Sequence, residues 1–230
     1  MPASAYELAS RERHVAVHPA RVIVRCRGDA LDAKLVALTF DDGPGDWTGA
    51  ILDLLAAHGA RATFFVLGHS IAGREDVLRR TVADGHELGN HTFGHHHPLE
   101  LSDAALREEL RLTSERIADV TGVPPRLARP PYGEDAERFA QIAAELELSP
   151  TVLWSVDPLD WQEPPSQTVA RRTLDAIHPG AIVDLHDGFR IRGDVERSRQ
   201  PTAEAVARII PALHERGYEL VTVSELLSRR

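Results

Sequence analysis

Cysteine and lysine are almost absent from this sequence, with Cys26 and Lys34 the single instances among 230 residues. One cysteine excludes an internal disulfide and any metal site built from several thiolates. Arginine carries nearly all the positive charge, which reads as a bias of the source genome rather than a functional signal. No basic cluster exceeds isolated arginine pairs, and the formal net charge is −9, so neither nucleic acid nor an anionic membrane is expected as the main partner. No apolar run approaches the roughly 20 residues of a membrane-spanning helix. The opening stretch "MPASAYELASRERHVAVHPA" lacks the apolar core of a secretory signal. A cytoplasmic location is therefore expected, or secretion if a leader precedes this sequence. Low-complexity stretches, internal repeats and an inter-domain linker are also missing, which leaves one domain of ordinary globular composition.

What is present is an alternation of short apolar runs with helical patterns. Strands are expected at "VALTF" (36–40), "ATFFV" (62–66), "HELGN" (86–90), "RLAR" (126–129), "TVLWSV" (151–156), "AIVDLH" (181–186) and "YELVTV" (218–223). One helix contains Ile51, Leu54 and Leu55 and stops at Gly59. A second follows the N-cap Ser102, carries Leu106, Leu110, Ile117 and Val120, and stops at Gly122. A third runs from Thr202 to Gly217, with Pro211 expected to kink it. Such alternation implies an α/β domain with a parallel sheet, either an irregular barrel one strand short of eight or an open doubly wound sheet. In both, ligands collect at the carboxyl ends of the strands. Ionisable residues gather there: Asp41 and Asp42, His91, Arg129, Asp157 and His186. Residues 1–33 stand outside the repeat as an N-terminal extension, in which "RVIVRCR" (21–27) offers an extra strand, and residues 34–230 form the domain.

"VALTFDDGP" (36–44) ends a buried run on two adjacent carboxylates. Either this is ordinary turn chemistry before Gly-Pro, or one carboxylate holds a cation that makes its neighbour tolerable. "NHTFGHHHP" (90–98) sets His91 and His95 four residues apart, a spacing from which both can reach one ion on a helical turn or compact loop. His96 and His97 fall outside that pair. Asp42, His91 and His95 make a set of two imidazoles and a carboxylate with positions left open for water and substrate. Zinc suits it, although cobalt, nickel or iron would also fit. Asp41 would then be a general base that takes a proton from the attacking water.

Together these stretches resemble the polysaccharide deacetylases, the NodB-homology family or carbohydrate esterase family 4. The resemblance covers about residues 34–227, with the motifs in order: "TFDDGP" (39–44), "HTFGH" (91–95), "RPPYG" (129–133), "DPLDW" (157–161) and "DLHD" (184–187). It implies an irregular (β/α)7 barrel and metal-dependent hydrolysis of N-acetyl groups on chitin-like or peptidoglycan-like amino sugars. It also implies Asp41 as base, Asp42, His91 and His95 as metal ligands, and Arg129 as the group that orients the base. The Tyr132 N–H would help hold the oxyanion, Asp160 would support the acid His186, and Trp161, with Pro131 and Leu185, would meet the substrate. An O-acetyl xylan esterase or a small-molecule amidase keeps the same chemistry on another substrate. An inactive carbohydrate-binding module is the reading of another class.

One position departs from the family pattern. Asp184 stands where leucine is usual and shares a strand face with His186. It either contacts a polar part of the substrate, pairs with a nearby arginine or histidine, or is turned away by a local shift of register. Trp154 is expected in the core, and Phe64 and Phe65 in the barrel filling. Trp47 stacks on a sugar or packs at a helix entry, Asp157 caps the turn at Pro158, and Asp187 assists His186 or holds the following loop.

Overall fold

The computed structural model describes residues 22–23, 34–188 and 198–229. The strands are β1 (Val22–Ile23), β2 (Lys34–Asp41), β3 (Thr63–Val66), β4 (Glu87–Asn90), β5 (Thr151–Val152), β6 (Ala181–His186) and β7 (Tyr218–Leu220). All their pairings are parallel. β2 is central, with β6 along one edge, β3 against its last residues and β7 against its first. β4 pairs with β3 and β1 with β5. Single bridges Asn90–Ala128, Ala128–Thr151 and Val156–Val183 carry the pairing from β4 back to β6. The circuit is closed, so the irregular barrel is observed and the open sheet is not.

Three expected strands are shortened by three residues or more, and β3 and β4 each start one residue later than expected. "RLAR" contributes a single bridging residue, Ala128, which pairs with Asn90 on one side and Thr151 on the other, because Pro124–Pro125 and Pro130–Pro131 flank it with residues that cannot donate to a ladder. "TVLWSV" pairs as a strand only at Thr151–Val152, with a further bridge at Val156. "YELVTV" ends at Leu220, since Thr222 and Glu225 form a reciprocal capping box that starts a helix at Val223. In "RVIVRCR", Val22 and Ile23 pair with β5. The rest of that stretch, Cys26 included, lies outside the described residues.

The helices are α1 (Thr48–Ala57), α2 (Glu75–Ala83), α3 (Asp103–Thr121), α4 (Ala136–Glu145), α5 (Ser166–Ala176), α6 (Gln200–Glu215) and α7 (Val223–Ser228). α3 starts where Ser102 Oγ accepts the Ala105 N–H at 3.2 Å and stops at the left-handed Gly122. α6 runs on past Pro211 to Glu215. None of these helices is long and apolar enough to cross a membrane.

A period of two sorts β2 between two cores. Val36, Leu38 and Phe40 face the helices together with Phe64, Val183 and Leu185. Leu35 and Ala37 face the barrel axis with Phe65, Leu127, Val152 and Ile182, and Val223 and Leu226 of α7 close that interior at the amino end. Burying one phenylalanine contributes roughly 1.5–3 kcal/mol, and Phe65 takes its space from β4: a Cβ on Gly89 would lie 2.4 Å from its ring. With the lower barrel filled by apolar side chains, the inward positions left at the carboxyl end are Thr39, Asp41, His91, Arg129, Asp184 and His186. Five of these six are ionisable, and they define the site.

Candidate functional site

β2 delivers Asp41 inward, and Asp42 leaves the strand in the left-handed region at φ 72°. Asp tolerates that conformation better than most residues. The turn is pinned from β6, where Asp187 N–H donates to the Asp41 carbonyl at 3.1 Å. Thr48 Oγ1 donates to Asp187 Oδ2 at 2.5 Å and accepts the Gly45 N–H at 2.8 Å. Packing is so close that a Cβ on Gly43 would sit 2.3 Å from Asp187 Oδ2. Asp187 thus holds the aspartate turn. Its hydrogen bonds do not reach His186.

β4 ends at Asn90, and His91 follows, buried. Its Nδ1 donates to the Arg129 carbonyl at 2.8 Å, which fixes the tautomer and leaves the Nε2 lone pair free. His95 sits on a compact loop with Nδ1 3.2 Å from Tyr132 Oη. Asp42 Oδ1 lies 3.2 Å from His95 Nε2 and 3.5 Å from His91 Nε2. It is buried, yet it accepts a hydrogen bond from neither. One ligand atom from each of Asp42, His91 and His95 falls within 4.8 Å of the others. Burial foremost, helped by the His91 and His186 charges, lowers His95 to about 4 against the pull of Asp42 and Asp41. Burial would raise Asp42, but His95, His186 and His91 together bring it below the usual carboxylate range. A buried carboxylate oxygen that lacks a hydrogen bond, facing the Nε2 atoms of two imidazoles, fits a divalent cation.

Arg129 is fully buried and ties the rest together. Its Nη1 donates to Asp41 Oδ1 at 2.7 Å, Thr39 Oγ1 at 2.8 Å and Asp184 Oδ1 at 3.1 Å. Nε and Nη2 donate to the carbonyls of Val152 and Leu153. The guanidinium also lies 4.1 Å from the Phe65 ring centroid and 5.5 Å from that of Trp154. Of the three readings of Asp184, the pairing with an arginine is the one found, and the register is undisturbed, with Thr39 opposite Asp184 and Asp41 opposite His186. Burial first and the Asp41 charge second push Asp184 well above the ordinary carboxylate range. One guanidinium serves two buried carboxyls.

His186 Nδ1 donates to Asp160 Oδ1 at 2.8 Å, and Asp160 Oδ2 accepts the His186 N–H and the Thr202 hydroxyl. Burial alone would lower His186, but the Asp160 charge and hydrogen bond, aided by Asp184 and Asp42, push it up to about 10. At about 10 the imidazolium outlasts neutral pH, so an acid role for His186 predicts an alkaline limb set by its deprotonation. Removing the Asp160 charge should lower the His186 pKa. In Asp160→Asn the alkaline limb of kcat/KM is expected to move down by about one to three pH units. An unmoved limb would show that Asp160 does not set the charge of His186.

Trp161 and Tyr132 are exposed, 44% and 47% respectively, and Pro131, next to Tyr132 in the chain, is buried. Tyr132 stacks on His97 with centroids 3.9 Å apart. Leu185 does not join the site. It follows Val183 into the helix-facing core, because its strand parity is opposite to that of Asp184 and His186. Trp47 also packs on that core at the entry of α1, Trp154 packs in the barrel interior, and Asp157 Oδ1 caps Leu159 N–H at 2.8 Å. No site role was expected of Thr39, Thr48, Glu109 or Thr202, whose side chains hold Arg129, Asp187, the loop after His91 and Asp160 respectively. Only Thr48 carried a local signal, as a threonine at a helix start three residues after Gly45.

The polysaccharide deacetylase family model matches residues 28–151. A chitooligosaccharide deacetylase of Bradyrhizobium sp. (strain ANU 289) is 38% identical over 215 residues, covering 90% of this chain and 97% of that protein. The crystal structure of the Bc1960 peptidoglycan N-acetylglucosamine deacetylase superposes with a TM-score of 0.80 at 31% identity, over 90% of this chain and 92% of that one. Wild-type BA3943 of Bacillus anthracis, described as a pseudoenzyme of carbohydrate esterase family 4, has the same TM-score at 29% identity, over 91% of this chain and 70% of that one. The matched sequence, the closed parallel barrel and the Asp-His-His cluster at its carboxyl end agree: the chain belongs to the polysaccharide deacetylase family.

Proposed function

We propose that this protein hydrolyses N-acetyl groups from amino-sugar residues of chitin-like or peptidoglycan-like chains. The observation that carries the reading is the convergence of buried Asp42 and His91 with half-buried His95 beside Asp41. Those three residues would hold zinc, which when bound supplies Lewis-acid polarisation of the carbonyl and makes water more acidic. Asp41, held against Arg129, accepts a proton from the attacking water as its oxygen adds to the amide carbon. The Tyr132 N–H is assigned to the oxyanion. His186 then gives its proton to the departing nitrogen as the C–N bond breaks, leaving acetate and a free amine. Trp161 and Pro131 are assigned to substrate contact.

An acid raised to about 10 favours amide over ester cleavage, because an amine must be protonated to leave. The complete set of Asp41, Arg129, Asp160 and His186 supports an active enzyme over a silent binding module. Acetate release from N-acetylated chitooligosaccharides, acetylxylan and small N-acetyl amides tests the choice. Chitooligosaccharide is expected to be turned over fastest. Turnover of acetylxylan alone would support the esterase, and binding without any turnover would support the module.

A further inference from the structure

The loop between the two histidine ligands adopts a conformation its own sequence does not favour. Thr92 has φ 70° and His95 φ 56°. A β-branched residue rarely occupies the left-handed region, and it stays there only where surrounding contacts impose it. Those contacts come from two sides. Gly68 N–H donates to the Thr92 carbonyl at 3.0 Å and His69 N–H to the Phe93 carbonyl at 3.1 Å. The loop's own N–H groups are taken by side chains. Asn90 Oδ1 accepts from Thr92 at 2.8 Å, and Glu109 Oε2 accepts from Phe93 at 2.8 Å and Gly94 at 2.6 Å. The other Glu109 oxygen lies 3.2 Å from His96 Nδ1. Glu109 is on α3, in the turn between the buried residues Leu106 and Leu110, and Asn90 Nδ2 in turn donates to the Leu110 carbonyl at 2.7 Å. The helix and the loop are therefore docked as one piece.

We propose that Glu109 is a positioning residue for the metal site, one that fixes the reach between His91 and His95 and thereby the affinity for a divalent cation. It lies outside every sequence motif of the site. Its carboxylate grips two consecutive backbone N–H groups midway between the two ligands, and charge-assisted bonds of that kind are the strong ones. This inference rests on the reading of Asp42, His91 and His95 as metal ligands. Without the Glu109 grip the two N–H groups lose their acceptor, the left-handed residues relax, and the imidazoles are no longer held on one point.

The test is zinc affinity, measured by competition with a chromogenic chelator, for wild type, Glu109→Ala, Glu109→Gln and the helix-surface control Glu108→Ala. Glu109→Ala is expected to bind zinc about 10- to 100-fold more weakly. Glu109→Gln keeps the shape without the charge and is expected to lose about three- to tenfold. Glu108→Ala should match wild type, and turnover of Glu109→Ala at saturating zinc should return close to the wild-type rate. Wild-type affinity in both Glu109 variants would overturn the proposal, as would a loss in Glu108→Ala equal to that in Glu109→Ala. If Glu109→Ala does not fold, Glu109→Gln alone decides between these results. Wild-type protein that binds no zinc would instead remove the metal reading beneath it.

Discussion

Asp41→Asn is expected to lower kcat by roughly 10²- to 10⁴-fold, the usual contribution of a general base, while zinc stays bound. The two effects separate because Asp41 is not among the three residues, Asp42, His91 and His95, whose ligand atoms all lie within 4.8 Å of one another. The fold should survive as well. Asparagine keeps an oxygen for the Arg129 Nη1 contact, and Arg129 retains Asp184, Thr39 and two carbonyls as acceptors. Removing one partner of a buried ion pair is most damaging when the other charge is stranded, and here a second carboxyl stands ready to ionise. Parallel measurements of steady-state turnover and of zinc per chain check the prediction. Turnover near wild type would assign the base to another group, and loss of zinc would make Asp41 a ligand.

The five charged motifs were legible because each is local. Asp41 and Asp42 are adjacent, His91 and His95 are four residues apart, and strand parity alone places Asp184 with His186. Contacts made across the barrel left no such trace. Arg129 meets Asp184 across 55 residues and Asp41 across 88, so the choice among the readings of Asp184 waited on the register of β2 against β6. Glu109 was invisible for the same reason, since its role depends on how α3 docks against the loop after β4. Leu185 was misassigned by its neighbours in the motif, although a period of two already turned it outward. The shortened strands record competition that propensity alone does not weigh: prolines around Ala128 remove donors, and the Thr222–Glu225 capping box begins a helix inside a β-prone run.

The second large effect is loss of metal. Asp42 Oδ1 and the two Nε2 atoms face one another without a hydrogen bond at the carboxylate oxygen, an arrangement that is unfavourable until a cation fills it. Stripping the protein with a chelator is expected to lower turnover by at least about 10³-fold, because several kcal/mol of charge stabilisation correspond to about three powers of ten. Zinc at a hundredfold excess over Kd should also stabilise the fold by about 2.7 kcal/mol. For a chain of this length that is a rise in Tm of roughly 5–11 °C. Asp42→Ala should show neither response, since a ligand is gone although both histidines keep their Nδ1 partners.

Everything turns on whether three side chains from two strand ends share one ion. Zinc titrated into stripped wild-type protein, with bound metal and acetate release followed together, reads this directly. The expected result is saturation at about one zinc per chain, with deacetylation of chitooligosaccharide rising in step and absent throughout in Asp42→Ala. Full acetate release by the stripped protein before any zinc is added would contradict it.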